Sequence, residues 1–264
     1  MLHIPYRNLL DFEIADEPSK EIYFLFGVRK SGSSVLNNIV RAIATMNDMH
    51  YIDVAGSFFQ KGVRVAEWQF DPELGTLLRP GNLYAGFRNF PVGLAQDARL
   101  LKGRKVLMVR DPRDALVSEY FSNAFSHSIP QSGQTRKDML SERAQALNSE
   151  IDAFVLKKAP SMKTTLREYS ALQGGPALKL FRYEDVITEK RALIAQLCEF
   201  YSWAVSELQV DQILGWADVM PSVERPTEFV RKVIPGDHRE KLRTGTIDRL
   251  NEIFADEMAQ YGYR

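Results

Sequence analysis

Short, mostly apolar runs alternate along the chain with segments in which apolar residues recur every three or four positions. The strongest runs are 22–27 (IYFLFG), 105–109 (KVLMV) and 178–183 (LKLFRY), and weaker ones lie at 82–87 and 50–54. Strands that bury both faces are typical of a parallel sheet covered by helices. The pattern therefore predicts five strands of such a sheet.

Helices are predicted between and after these strands. Apolar residues at helical spacing over 35–43 predict a helix after the first run. A second helix is predicted to extend to about residue 124, because Asp111 is a favourable N-cap residue and Pro112 suits the first helical position. Further helices, one for each periodic segment, are predicted over 140–155, 193–198 and 247–261.

Strands that alternate with helices indicate an α/β protein, a single doubly wound domain with a central parallel sheet. A length of 264 residues fits one domain of this class. Two polar segments that contain glycine and proline, 124–138 and 218–240, are predicted to be long loops or lids.

Composition excludes several functional classes. Lys and Arg number 34 and balance 34 Asp and Glu, whereas general nucleic-acid or membrane-surface binders carry a basic excess. The single cysteine, Cys198, cannot form an internal disulfide, and no apolar run approaches the roughly 20 residues of a membrane span. The N-terminal segment is acidic and unlike a secretory signal, so a cytoplasmic protein without nucleic-acid partners is expected.

The segment FGVRKSGSS joins the first predicted strand to its helix. The free N–H groups at the start of a helix and the helix dipole favour an anion at such a junction. Gly32 lets the backbone close around a ligand, and Lys30 adds a positive charge. Hydroxyl donors come from Ser31, Ser33 and Ser34. The segment therefore predicts a phosphate-binding loop, with a simple capped turn as the alternative.

This loop departs from the loop of nucleoside triphosphate-binding proteins, G-x-x-x-x-G-K-[ST]. Gly27 and Gly32 have the required spacing, but Ser33 occupies the position of the lysine. The basic residue lies three positions earlier, as Lys30. A kinase or ATPase is therefore disfavoured.

A second anion site is predicted where the run 105–109 ends. Arg110 lies at the strand end, and Ser118 follows eight residues later on the next predicted helix. The forked donors of arginine suit a phosphate group, and the serine can complete the clamp. A capped helix with Arg–Asp surface pairs is the alternative.

Together the two segments resemble the sulfotransferase family that uses 3′-phosphoadenosine-5′-phosphosulfate (PAPS). The family's 5′-phosphosulfate loop, [YF]-P-K-[SA]-G-[ST]-[ST]-W, corresponds to VRKSGSSV at 28–35. Its 3′-phosphate motif is an arginine at a strand end, then [DN]-P-x-D, with a serine eight residues after the arginine. Arg110, the stretch 111–114 and Ser118 match this motif at every position.

Two later stretches extend the resemblance. The sequence FRYED at 181–185 looks like the family's strand-ending Y-E-D, whose tyrosine lies near the adenine. The sequence RKVIPGDHR at 231–239 resembles the family's R-K-G-x-x-G-D-W-K loop, which closes over the 3′-phosphate. The four motifs follow the family's order from about residue 22 to 262, so the chain is identified as a member of this family with a P-loop-like fold.

The resemblance implies one sulfotransferase-like domain over 1–264. Within it, 20–123 would carry both phosphate motifs, and 124–176 would form a helical insertion or lid on the acceptor side. The last part, 177–264, would contain the loop that closes over the donor.

The resemblance also implies a role for each motif. Lys30 would stabilise the charge that develops on the phosphate as the sulfuryl group leaves. PAPS would be the co-substrate, and no metal is expected. The residues expected to bind it are Arg29, Lys30, Ser31, Gly32, Ser33, Ser34, Arg110, Ser118, Tyr183, Arg231, Lys232 and Gly236.

Several positions depart from the family pattern. Arg29 replaces proline, Val35 replaces the aromatic residue that ends the first motif, and His238 replaces tryptophan in the late loop. The family's frequent K-x-H-x-P base motif reads FRNFP at 87–91. Asn89 therefore stands in place of the histidine, and an asparagine cannot take a proton.

The proton of the acceptor thus needs another base. Related enzymes that act on polysaccharides use a carboxylate shortly after the first helix, where this chain has Asp53, the first candidate. His50 and His127 are the next candidates, and Glu67 is more remote.

The expected function is transfer of a sulfuryl group from PAPS to a hydroxyl group of a carbohydrate, lipid or small-molecule acceptor. A P-loop nucleotide kinase and a catalytically silent nucleotide-binding protein are the alternatives. The segments expected to face the acceptor, about 54–80 and 124–176, contain no motif that identifies it.

Overall fold

A computed structural model of the chain describes residues 1–127, 129, 131, 133–175, 177–228 and 230–264. The strands are β1 (Leu2–Tyr6), β2 (Leu10–Ile14), β3 (Tyr23–Gly27), β4 (His50–Asp53), β5 (Asn82–Phe87), β6 (Arg104–Val109) and β7 (Leu178–Arg182). The last five form a parallel sheet in the order β4-β5-β3-β6-β7. All five predicted strands and the α/β class are therefore confirmed.

Helices cover both faces of this sheet. They are α1 (Ser33–Met46), α2 (Val54–Gln60), α3 (Val65–Trp68), α4 (Ala98–Lys102), α5 (Pro112–Phe121), α6 (Gly133–Leu147), α7 (Ile151–Tyr169), α8 (Tyr183–Val186), α9 (Lys190–Tyr201), α10 (Glu207–Ala217), α11 (His238–Lys241), α12 (Thr244–Ile253) and α13 (Ala255–Tyr261). A π-helical turn, Ser122–Ser126, continues α5. In the described part of the chain, no helix has the length and apolar character needed to cross a membrane.

The two faces of the sheet carry separate apolar cores. One core joins the sheet to α1, α9 and α10, and the other joins it to α5, α7, α12 and α13. Strand β3 lies at the centre, and Phe24, Leu25 and Phe26 are fully buried. Because all five strands are parallel, their carboxyl ends meet at one edge, where ligands of doubly wound folds bind. The motifs predicted from the sequence follow these strand ends.

An antiparallel hairpin of β1 and β2 precedes the sheet, and it was not among the predicted strands. Phe12 and Ile14 point into the core, consistent with the alternation of apolar and polar residues in LDFEI. The side chain of Asn82 accepts from the Ala15 N–H at 2.9 Å and donates to the Ala15 carbonyl at 2.8 Å. These bonds attach the chain after the hairpin to the start of β5.

Two predicted helices are each divided in the structure. The segment 140–155 contains the end of α6 and the start of α7, and 247–261 contains α12 and α13. At the first break the Asn148 and Ser149 side chains donate to the carbonyls of Ala144 and Gln145 at 2.8 and 2.7 Å. Such local bonds compete with continuation of a helix.

The predicted loop 124–138 is also partly helical. The π turn covers its beginning, and α6 starts at Gly133. Residues 128, 130 and 132 of that prediction, residue 176 of the predicted lid and residue 229 of the predicted loop 218–240 lie outside the described residues.

Candidate active site

The loop between β3 and α1 is fastened to the neighbouring strand β6. The Val28 N–H donates to the Met108 carbonyl at 3.0 Å. The Ser31 hydroxyl lies 2.6 Å from the Val28 carbonyl and 3.1 Å from the Met108 carbonyl, and the residue is fully buried. The hydroxyl therefore shapes the loop from inside, whereas the sequence predicted a contact with the donor.

Helix α1 begins with free N–H groups at the mouth of this loop. Gly32 is its N-cap and has a φ of 79°, a left-handed conformation that favours glycine. A Cβ atom at Gly32 would lie 2.9 Å from the Tyr183 ring, so the glycine also permits that ring to approach. The Leu36 N–H donates to the Gly32 carbonyl at 3.1 Å. The amides of Ser33 and Ser34 precede this first helical bond and can bind an anion.

Lys30 presents a positive charge at the same mouth. Among the described residues its ammonium group makes no hydrogen bond or ion pair. Burial lowers the pKa of Lys30 to about 8, and the nearby Glu119 carboxylate only partly offsets this. The positive charges of Arg110, Arg88 and Arg231 lower the pKa further. A desolvated cation surrounded by other cations is a strong site for a multiply charged anion.

The Arg29 side chain bonds to residues of α5 and α7. Its Nε donates to the Glu119 carboxylate at 3.1 Å, and its Nη atoms donate to the Thr165 and Ser161 hydroxyls at 3.1 and 3.2 Å. The donors of the guanidinium group are thus used in bonds to α5 and α7. The side chain does not lie where a donor-binding residue was predicted.

Arg110 follows β6 and lies beside the phosphate loop. It is buried, its Nη1 donates to the Lys30 carbonyl at 3.3 Å, and its guanidinium lies 4.3 Å from the centre of the Tyr183 ring. Its Nε is buried, and no described residue bonds to it. An unpaired buried guanidinium donor is unfavourable, so the site fits an anion. Ser118 lies half-buried on α5, two turns after Arg110.

The late loop brings two further cations to this end of the site. Arg231 is buried and pairs with the carboxylates of Glu224 and Asp237. Lys232 lies 3.1 Å from Asp237 and 2.7 Å from Glu240. In contrast to Lys30, both cations are already neutralised by carboxylates of the chain.

Asp114 fastens the late loop to the start of α5. Its carboxylate accepts from the Gly236 N–H at 2.6 Å and from the His238 N–H at 2.9 Å, and the His238 Nδ1 lies 2.6 Å away. Burial alone raises the pKa of Asp114, but the His238 bonds and the charge of Arg110 leave that pKa well below its usual value. Asp114 is therefore ionised, and Gly236 contributes to loop docking through its backbone.

Asp53 lies at the carboxyl end of β4 and caps α2. It accepts from the Gly56 N–H at 2.9 Å, and its other oxygen lies 3.7 Å from the Arg41 guanidinium. A Cβ atom at Gly86 would lie 1.9 Å from the carboxylate, so β5 passes directly beside it. The carboxylate thus has structural partners on two elements.

His127 follows the π turn, and the charges of Lys30 and Arg88 reach its imidazole. The Phe59 ring stacks on its imidazole with centres 6.5 Å apart. Part of the His127 residue is exposed, but desolvation of its imidazole by neighbouring groups, with the charges of Lys30 and Arg88, lowers its pKa to about 4. The imidazole is therefore neutral at pH 7. It lies within electrostatic reach of Lys30, the residue expected to contact the bond that breaks.

The other base candidates lie in different surroundings. His50 bonds through Nε2 with the Glu13 carbonyl at 2.8 Å. Glu67 pairs with Arg64 at 2.8 Å in an exposed helix cap. Asn89 lies half-buried just after β5.

Sequence reasoning missed two residues of the site. The Arg88 guanidinium lies 3.4 Å from the Ser34 hydroxyl, and its charge acts on both Lys30 and His127. Glu119 lies next to Ser118 in the second motif, and it is the main influence that opposes the lowered pKa of Lys30. Arg88 could have been found as the basic residue beside Asn89, whereas the role of Glu119 depends on the loop packing against α5.

Comparison with known proteins agrees with this geometry. A family model described as "Sulfotransferase domain" matches residues 20–262. Two guinea-pig enzymes, a 3-beta-hydroxysteroid sulfotransferase and a 3-alpha-hydroxysteroid sulfotransferase, are 21% and 22% identical to the chain. Each alignment covers 88% of this chain and 82% of the relative.

Two solved structures share the fold. A mouse sulfotransferase complexed with PAP, 3′-phosphoadenosine-5′-phosphate, superposes with a TM-score of 0.62 at 13% identity, over 92% of this chain and 85% of that one. A retinol dehydratase in complex with androsterone and the inactive cofactor PAP has a TM-score of 0.52 at 15% identity, over 92% and 82% of the two chains.

Proposed function

The chain belongs to the sulfotransferase family, and on that premise we propose that it transfers a sulfuryl group from PAPS to a hydroxyl group of a small-molecule acceptor. The observation that carries the choice of donor is Arg110, whose buried Nε lacks a partner among the described residues while its Nη1 contacts the Lys30 carbonyl. A 3′-phosphate at Arg110 and a 5′-phosphosulfate at the loop would occupy the two ends of one cleft.

The local geometry supports the following donor contacts. The amides of Ser33 and Ser34 and the Lys30 ammonium bind the 5′-phosphosulfate, and Arg110 and Ser118 bind the 3′-phosphate. Arg231 and Lys232 close over the 3′-phosphate, Gly236 docks their loop through its N–H bond to Asp114, and the ring of Tyr183 lies beside the adenine. Ser31 supports the loop through its buried hydroxyl.

The reaction is a substitution at sulfur. The acceptor oxygen forms a new bond to sulfur while the bond from sulfur to the bridging oxygen of the donor breaks. Negative charge develops on the departing phosphate, and Lys30 stabilises it. The proton of the acceptor hydroxyl passes to a base, and the products are the sulfated acceptor and PAP.

We assign the base role to His127 in preference to Asp53. The neutral imidazole lies within electrostatic reach of Lys30, whereas Asp53 already caps α2 and faces Arg41. The negative charge of bound PAPS offsets the cations that lower the pKa of His127, so its proton affinity rises when the donor is present.

The acceptor side is apolar around His127. The Phe59 ring stacks on the imidazole, and Phe125, two residues earlier, is exposed. These rings favour an apolar alcohol or phenol, small molecule or lipid, over a carbohydrate. The relatives named as hydroxysteroid sulfotransferases agree with an acceptor of this kind.

The chain then works as one domain with three parts. Segment 20–123 carries the donor motifs, the described part of 124–176 carries α6 and α7 on the acceptor side, and the described part of 177–264 carries the late loop. This division rests on the positions of the motifs at the carboxyl edge of the sheet.

Calorimetry with PAP and ADP tests the donor. PAP should bind at least about tenfold more tightly, because each charge-assisted contact to the 3′-phosphate contributes about 1.5–3 kcal/mol. Equal affinities would contradict the assignment. Radiolabelled PAPS with a panel of phenols, sterols and sugars then separates transfer from silent nucleotide binding, and γ-labelled ATP tests for kinase activity.

Paired variants test the base. His127→Gln should lower kcat by about 10²–10⁴-fold, the usual contribution of general base catalysis, with PAP affinity nearly unchanged. Asp53→Asn keeps the shape of the side chain and should lose far less turnover. The reverse result would assign the base to Asp53 and leave the sulfotransferase assignment intact.

A further inference from the structure

Arg29 connects the phosphate loop to α5 and α7, and among the described residues no other side chain of the loop bonds to these helices. Its Nε contacts Glu119 on α5, and its two Nη atoms contact Thr165 and Ser161, which lie one turn apart on α7. Most of the guanidinium is shielded from water, with 18% of the side chain exposed. The forked geometry of arginine allows these three contacts at once.

The residue after Arg29 needs such support. Lys30 has a φ of 66°, and non-glycine residues persist in this left-handed region only when their surroundings hold them there. The Arg110 guanidinium holds the Lys30 carbonyl at 3.3 Å, and Val28 and Ser31 are bonded to β6. Arg29 holds the remaining, amino-terminal side of Lys30.

Helix α7 is a firm anchor for this contact. The Tyr169 hydroxyl donates to the Phe87 carbonyl at 3.0 Å at the end of β5, and Gln69 donates to the Glu168 carboxylate at 2.7 Å. Phe154, Val155, Ala159 and Met162 bury the inner face of the helix. The helix is therefore fixed to the sheet edge that carries the site.

We propose that Arg29 is a positioning residue, which fixes the phosphate loop on α7 and so holds the Lys30 ammonium at the bond that breaks. The inference rests on the proposed sulfuryl transfer. Arg29 touches no substrate in this role. Its loss should therefore reduce the rate of the chemical step while the donor remains bound through the helix amides and Arg110.

Steady-state kinetics of Arg29→Met tests the proposal, because methionine keeps much of the side-chain length without donors. We expect kcat to fall by about 10–100-fold, as expected when a reacting group is displaced by about 1 Å. The KM for PAPS and the Kd for PAP should stay nearly unchanged. Arg29→Lys keeps a charge for Glu119 but cannot reach both hydroxyls, so it should recover only part of kcat.

A double-mutant cycle identifies the anchor. Combined Ser161→Ala and Thr165→Val should also lower kcat, and adding Arg29→Met should cause a smaller further loss than in the wild type, because both contacts with α7 are already broken and only the contact with Glu119 remains. The exposed Arg249→Met on α12 is a matched control, and thermal unfolding shows whether each variant is folded.

Two outcomes would overturn the proposal. If Arg29→Met raises the Kd for PAP as much as it lowers kcat, Arg29 binds the donor as the motif suggested. If the losses are additive or kcat does not change, α7 is not the anchor of the loop. A wild-type protein that binds PAP but transfers no sulfuryl group would instead refute the proposed function.

Discussion

In the proposed mode of PAPS binding, Lys30 at the 5′-phosphosulfate and the late-loop cations at the 3′-phosphate hold their positive charges in opposite ways. At the 5′ end, the Lys30 ammonium is desolvated and has no described ion-pair partner, and its pKa is lowered to about 8. At the 3′ end, Arg231 and Lys232 are bound by the carboxylates of Glu224, Asp237 and Glu240. In the proposed reaction Lys30 is ready for the charge that develops on the leaving phosphate, whereas Arg231 and Lys232, unlike the unpaired Nε of Arg110, must exchange partners when a phosphate binds.

This difference separates catalysis from binding. A cation that is held ready and poorly solvated needs no rearrangement as the leaving phosphate gains charge, so it acts mostly on kcat. A cation that is already paired with an internal carboxylate must leave it to bind the phosphate. Such a cation contributes only the difference in free energy between two ion pairs, and it contributes mostly to affinity. Substitutions at the two ends should therefore change different constants.

The largest effect is expected at the 5′ end. Lys30→Ala should lower kcat by about 10²–10³-fold, the usual loss when one group that stabilises developing charge is removed. The Kd for PAP should change much less, because the helix amides and Arg110 remain. Single-turnover kinetics and calorimetry measure the two quantities.

The exposed Lys102→Ala on α4 is the control for this substitution. If Lys30→Ala raises the Kd for PAP as strongly as it lowers kcat, the 5′ end is a binding site like the 3′ end, and the contrast between them disappears.

A smaller effect of the other kind is expected at the 3′ end. Arg231→Met should raise the Kd for PAP by about 5–10-fold, because the lost contact with the phosphate, about 1.5–3 kcal/mol when formed from a free cation, is partly offset by the internal ion pairs that it replaces. At saturating PAPS, kcat should remain close to that of the wild type. Calorimetry with PAP measures the affinity, and Arg225→Met in the same segment, which removes only an exposed pair with Glu228, is the matched control. A large loss of kcat at saturation would contradict this assignment.

The pH dependence sharpens the contrast further. Only charged lysine stabilises the leaving phosphate, and the pKa of Lys30 in the free protein is lowered to about 8. The kcat/KM for PAPS reports the free protein, so it should fall by about tenfold per pH unit above that value. The affinity of Arg231 for phosphate should not change in this range, since arginine stays protonated. A profile that stays flat to pH 10 would show that Lys30 is not the group that must be charged.

The smallest effect on PAP affinity is expected from removing the ion pair between Glu224 and Arg231. Glu224→Gln removes one carboxylate that competes with the phosphate for Arg231, and the same carboxylate lies 2.8 Å from Lys241. PAP should bind more tightly, on the order of twofold to fivefold, because a partly exposed ion pair contributes up to about 1 kcal/mol. Weaker binding would show that Glu224 serves mainly to orient Arg231.

The sequence predicted the sheet and the backbone of the site because both depend on local signals. The five strands are short apolar runs, and Gly32 and Asp111 lie at helix starts as their residue types suggest. Arg110 was found because its motif is contiguous. The π turn, the two divided helices and the β1–β2 hairpin were missed, since they depend on packing or on weak alternation.

Side-chain direction was harder to predict than position. Arg29 was expected at the donor, yet its partners lie 90, 132 and 136 residues away in sequence. The Ser31 hydroxyl turns inward because β6 is the neighbour of β3, an order that no local pattern specifies. Asp53 was placed first among the base candidates only because it follows a predicted strand. In the structure a helix begins at Val54, and the Asp53 carboxylate caps it by accepting from the Gly56 N–H.

The single carboxylate of Asp114 that fastens Gly236 and His238 has a consequence for the timing of turnover. It fixes the carboxyl-terminal end of the late loop, so in the proposed reaction only the preceding residues around Arg231 would move for product release. As PAP dissociates, the Arg231 guanidinium can pair again with the carboxylates of Glu224 and Asp237. Arg231 then exchanges one anionic partner for another, so the number of ion pairs stays nearly constant. A highly charged product can dissociate without leaving a buried arginine unpaired.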